Sequence, residues 1–250
     1  MAKEFEIRRE VELPATREQV WAAITSGTGG WLWPMEYEPR VGGRAEGSGT
    51  VTAWEPPTHF AVRAEGENGW YNNLESVIEA REGGGAMLRW VHSGIFVDDW
   101  DTQYDGADKH TDFYLHTLGQ YLRHFAGLTA AYVAADGPAA STDPGAFEVL
   151  RRRLRLSGAA AAGDAVRLEV PGLEPRDGVV DYVTPQFIGI RTADGLYRFF
   201  GRNAWGMPVG MTLHLFAGDV DREATERAWQ AWLDGTYAPE PGSVTSGRTA

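Results

Sequence analysis

Residues 111–133, TDFYLHTLGQYLRHFAGLTAAYV, decide the fold. Tyr114, Leu118, Tyr121, Leu122, Phe125 and Tyr132 recur at helical spacing, with His116, Gln120, Arg123 and His124 on the opposite side. That spacing predicts one long amphipathic helix whose apolar stripe faces a core. Upstream lie four strand-like runs, 50–54, 59–65, 70–80 and 86–96, separated by turn residues and a reversal at Gly83-Gly84-Gly85. Before them, Phe5, Ile7, Val11 and Leu13 mark a first strand over 4–13. A helix follows, with Thr16 as N-cap, Gln19 three residues on as its capping-box partner, and Val20, Trp21 and Ile24 as its apolar stripe. Gly27 to Gly30 end it, and an irregular piece then carries Trp31, Leu32, Trp33 and Met35. Strand, helix, a run of antiparallel strands and one long helix make an α+β plan.

The back half repeats most of that order. A helix over 145–156 precedes strands at 165–170, 178–184, 186–192, 196–202 and 210–217, and Asp194-Gly195 is a strong two-residue hairpin signal. A last helix, 221–233, takes Asp221 as N-cap and carries Trp229 and Trp232. Between the halves, residues 134–144 are all small side chains and turn formers, which read as a linker. The expected division is a first domain over 1–133, a linker over 134–144, a smaller α+β domain over 145–236 and a loose tail over 237–250.

The chain has 250 residues, with an apolar fraction of 43% and a charged fraction of 23%, as in soluble globular proteins. A net charge of −12 would repel a polyanion, which argues against nucleic-acid binding. There are no cysteines, so disulfides, thiolate nucleophiles and Cys-based zinc sites are excluded. No apolar run is long enough for a signal peptide core or a membrane span, and a cytoplasmic location is expected. Ten tryptophans are many for this length, and seven fall before residue 101. They fill a bulky core or line a pocket.

The succession Val20-Trp21-Ala22-Ala23-Ile24, Val41-Gly42-Gly43, Gly49-Thr50-Val51, Trp54-Glu55-Pro56-Pro57 and Val91-His92-Ser93-Gly94, closed by Leu118, Tyr121 and Leu122, resembles the START-related (SRPBCC) superfamily. More narrowly it is similar to the branch named after the activator of the heat-shock-protein-90 ATPase. The resemblance covers residues 4–130. It implies a helix-grip, Bet v 1-like fold, a sheet wrapped around the closing helix with an internal apolar cavity, and it implies no single reaction. The back half is then a second, truncated helix-grip domain, or else a strand-rich extension of the first.

Alternation assigns the cavity side chains. Glu75, Glu79 and Arg89 belong outside, which turns Trp70, Asn72, Leu74, Ser76, Trp90 and His92 inward. Tyr114, Leu118 and Tyr121 of the long helix close the space. The expected pocket is aromatic with few polar groups, as in a site that orients an apolar ligand. His92 is the one histidine considered for catalysis, with Asn72 beside it; the alternative is a buried imidazole satisfied by its neighbours. His116 and His124 fall on the polar face and are expected to be exposed. The acidic run from Asp98 to Asp112 lacks the ligand pattern of a calcium loop and reads as a solvated loop entering the helix. Arg151-Arg152-Arg153 with Arg155 reads as a solvated helix face or a seam. No cofactor or metal motif is present. Three functions stay open: a carrier or sensor of a small apolar or aromatic molecule, a cyclase, dehydratase or hydrolase using His92 and Asn72, or a co-chaperone-like module. A homodimer or another protein partner fits any of them.

Overall fold

Alternating side chains make β1 (Lys3–Leu13): Phe5, Ile7 and Leu13 are buried while the charged residues between them face out. The capping box forms at α1 (Arg17–Thr25), where Thr16 Oγ1 accepts from the Gln19 N–H and Gln19 Oε1 accepts from the Thr16 N–H. In this computed structural model, which describes residues 2–239 apart from Glu46 and Ser48, four further strands complete the first sheet. They are β2 (Thr50–Glu55), β3 (His59–Glu65), β4 (Tyr71–Ala80) and β5 (Ala86–Phe96), antiparallel throughout in the order β1-β5-β4-β3-β2. The long helix α2 (Trp100–His124) lies on this sheet, its Leu115, Leu118 and Leu122 sharing a core with Val20, Ile78 and Leu88. That is the helix-grip arrangement.

The helix departs from the expected 111–133 at both ends. Its N-terminal turns come from the acidic run read as a loop. Asp99, at φ 42°, makes no side-chain capping bond, so the start carries no signature. Strand β1 ties these turns down instead: Trp100 Nε1 donates to the Glu4 carbonyl at 3.1 Å, and Arg9 bonds Asp108 at 2.7 Å and Asp112 at 2.6 Å in the third and fourth turns. At the other end Gly127, at φ 79°, reverses the chain after Phe125. Tyr132 and Val133 then belong to a strand.

That strand, β6 (Ala131–Asp136), opens the second sheet and includes the first residues of the stretch read as a linker. With β7 (Ala165–Leu168), β8 (Arg176–Val183), β9 (Phe187–Thr192), β10 (Gly195–Phe200) and β11 (Gly210–Leu215) it forms the order β6-β11-β10-β9-β8-β7. A boundary at residue 133 would cut β6. Ala131 and Ala135 face α4 (Arg222–Thr236), which packs on this strand, and Gln230 Nε2 donates to the Asp136 carbonyl at 2.9 Å. The hairpin at Asp194-Gly195 and the cap by Asp221 Oδ1 on the Ala224 N–H both form. Residues 240–250 of the expected tail lie outside the described residues.

Odd and even positions of β10 face opposite ways. Tyr197 and Phe199 meet Trp229 and Trp232 of α4, together with Phe147 and Leu150 of α3 (Ala146–Arg153). Leu196 joins the first core, and Phe200 packs on Phe113 of α2. Helix α2 is therefore covered by a sheet on each side, and the layers run sheet, helix, sheet, helices. His214 of β11, fully buried, ties the halves by placing Nδ1 2.8 Å from the Gly29 carbonyl.

Candidate functional site

The first sheet and α2 enclose a cavity of about 170 Å³. Strands β4 and β5 contribute Leu74, Trp90 and His92, and the segment after α1 contributes Trp31, Leu32 and Trp33. From α2 come His110, Tyr114 and Leu115, with the short side chains of Ala107 and Thr111 leaving the space open. The segment after α1 is fixed locally. Trp31 Nε1 donates to the Ala23 carbonyl at 2.9 Å, and Thr28 Oγ1 accepts from the Met35 N–H at 2.8 Å. Gly30 is required there because a Cβ would stand 2.5 Å from the Tyr121 ring.

His92 stands in the cavity wall beside Asn72. Its Nε2 lies 3.1 Å from Asn72 Nδ2, so the amide donates, the ring nitrogen accepts and the proton sits on Nδ1. Phe5 meets the ring edge-on at 4.9 Å. Burial lowers its pKa to about 4, leaving the imidazole neutral at pH 7. A second imidazole faces the same cavity. His110 Nδ1 lies 2.7 Å from the Gly106 carbonyl one helical turn back, which leaves Nε2 as the acceptor. Burial lowers its pKa to about 4 as well, against the raising effect of that carbonyl. Phe187, Phe200 and Trp205 of the second half crowd this ring, with centroids at 4.9, 5.8 and 5.1 Å.

Of the residues expected to line the pocket, Leu74, Trp90, His92 and Tyr114 meet in one cavity. Asn72 stands behind His92. Ser76 is buried within the sheet beside Phe60 and Trp90, and Leu118 is buried in the core. Tyr121 turns to the second half, stacking on Phe216 at 5.8 Å and donating its hydroxyl to the Leu128 carbonyl. Trp70 precedes β4 and packs at the Gly66 turn. His116, expected in solvent, lies 3.4 Å from the buried carboxylate of Asp181. Helical spacing alone had no reason to bury both sides of α2, which is why His110 was not expected in the pocket. Its only sequence signal is its position one turn before Tyr114.

No family model matches the chain, and no curated protein is similar to it. Solved structures are. The di-domain ARO/CYC BexL from the BE-7585A biosynthetic pathway is 12% identical, with 95% of this chain and 100% of that one covered and a TM-score of 0.42. Protein MLL2253 from Mesorhizobium loti is 20% identical, covering 48% of this chain and 98% of its own at a TM-score of 0.42. The Aha1 dimer protein from Colwellia psychrerythraea is 18% identical, covering 47% and 96% at 0.38.

Size limits what the cavity can take. Drug-sized ligands occupy pockets of roughly 300–1,000 Å³, whereas an apolar cavity of about 150 Å³ accepts a benzene ring. At 170 Å³ the space suits a single ring. A larger cleft of about 700 Å³ lies between α4 and the outer face of the second sheet, with Leu173, Tyr197 and Trp229 among its walls and Asp194, Asp219 and Asp221 among its acidic groups. No helix among the described residues is long and apolar enough to cross a membrane.

Proposed function

We propose that the protein is a non-enzymatic carrier or sensor of a small apolar molecule, about one aromatic ring in size, held between the first sheet and α2. The observation behind this reading is a 170 Å³ cavity walled by three indoles, with two imidazoles and no carboxylate, ammonium or guanidinium in its lining. Burial keeps both imidazoles neutral, so they offer hydrogen bonds without a charge that would have to be desolvated. Trp31, Trp33 and Trp90 make the site self-reporting. Titration with toluene, indole and phenol should change tryptophan fluorescence and raise the melting temperature. A ligand at a hundred times its dissociation constant stabilises by about 2.7 kcal/mol. No response to any one-ring compound overturns the reading.

A catalytic alternative rests on the imidazoles. His92 has its Nε2 occupied by Asn72, whereas His110 keeps Nε2 without a bonded partner, so a general base in this cavity would be His110. Turnover that survives His110→Gln removes that alternative.

A further inference from the structure

The apolar cavity shares part of its wall with a second, polar chamber. Trp31, Leu32, Trp33 and Tyr114 line both. The chamber, about 60 Å³, lies between α2 and the second sheet, and Arg198 of β10 is in its wall. Arg198 is 1% exposed. Its Nη1 donates to both oxygens of Asp181, at 2.8 and 3.0 Å. Its Nε and Nη2 have no hydrogen-bond partner. Leaving two N–H groups of a buried cation unmet is costly, and these two form the edge of the guanidinium fork that matches a carboxylate in bidentate fashion. A second cation, Arg202, also lines the chamber, and its own carboxylate partner Asp136 is largely exposed. The chamber thus holds hydroxyls from Tyr114, Tyr132 and Thr212 and two guanidinium groups, with no carboxylate in its lining, whereas Thr117 donates its hydroxyl to the Phe113 carbonyl.

We propose that this chamber is a carboxylate subsite, and that the ligand of the adjoining cavity is an arylalkyl carboxylic acid with its carboxylate on Nε and Nη2 of Arg198. The proposal rests on the cavity's being a ring site. Trp33, 44% exposed and edge-on to Tyr114 at 6.0 Å, is the part of the shared wall least held by packing, and it is where the two spaces would join.

The test compares 3-phenylpropionate with 3-phenylpropanol, by calorimetric titration of the full chain at pH 7. The acid should bind at least tenfold more tightly than the alcohol. In Arg198→Gln/Asp181→Asn, which removes both buried charges together, that preference should vanish while the alcohol still binds. Equal binding of acid and alcohol by the unaltered protein overturns the carboxylate subsite, with water then satisfying the two N–H groups, and leaves the ring site standing. Binding of neither compound overturns the carboxylate subsite, and a toluene titration of the same protein then decides whether the ring site stands. The comparison in the unaltered protein decides the matter even where the double variant fails to fold.

Discussion

Asn72 Nδ2 reaches His92 Nε2 across 3.1 Å, joining neighbouring strands behind the cavity wall. The bond selects the Nδ1–H tautomer and holds the ring in place. Replacing the donor with a carboxylate, Asn72→Asp, sets a negative charge against the imidazole and favours its protonated form. The His92 titration should move up from about 4 by at least one pH unit, read from histidine proton shifts in NMR. An unmoved titration would mean that the two side chains do not touch.

Acid should destabilise the fold in a defined window. His92 and His110 have pKa values lowered by burial to about 4, and His214 to about 3. The ordinary value in an unfolded chain is about 6.5. Below it the unfolded chain takes up protons that the folded one refuses, so stability is full above about pH 6.5 and falls towards pH 4. Each of the three groups contributes a slope of up to about 1.4 kcal/mol per pH unit. Urea denaturation at pH 7, 6 and 5 should show the fall; a flat profile would place the imidazoles in water.

Filling the cavity separates binding from folding. Ala107 lines it from the helix, and Ala107→Leu puts a good helix former where there is empty space. One-ring compounds should lose their effect on fluorescence, while stability changes by no more than about 1–2 kcal/mol. Retained binding in this variant would move the site elsewhere, with the 700 Å³ cleft as the next place to look.

The Arg198–Asp181 pair should behave as a buried ion pair. Asp181→Ala leaves the guanidinium without its counter-charge and should cost about 3–5 kcal/mol in chemical denaturation. Asp181→Ala/Arg198→Met should recover part of that loss. The site is crowded as well: a Cβ on Gly189 would come within 2.6 Å of Arg198 Nη1, so Gly189→Ala should lower stability too.

How much of this was legible in the sequence depends on which side of α2 is considered. Strands announced themselves because one face of the first sheet meets water, so apolar and charged residues alternate along β1 and β4. Caps were readable because Thr16, Gln19 and Asp221 act on backbone groups three residues away. The start of α2 was not, since Trp100 of its first turn donates to the Glu4 carbonyl and Arg9 holds its third and fourth turns, both from a strand far back in the chain. Nor was β6: Ala135 looks like linker until α4 is seen lying on its face of the strand. The site was half legible. Leu74, Trp90 and His92 followed from period-two alternation, and Tyr114 from the helix stripe. His110 and Arg198 depend on a contact between distant parts of the chain, which no local pattern encodes.

Because α2 is clasped from both sides, the polypeptide resists being divided into two independent products. A fragment ending near residue 130 would carry Phe113 bare of Phe187 and Phe200, and Tyr121 bare of Phe216. The remainder would show water the sheet face bearing Leu196 and Phe200, both buried in the intact chain. Each piece would then be sticky on its own, and the two mixed together should rescue one another's solubility. Heating the whole molecule should give a single cooperative transition.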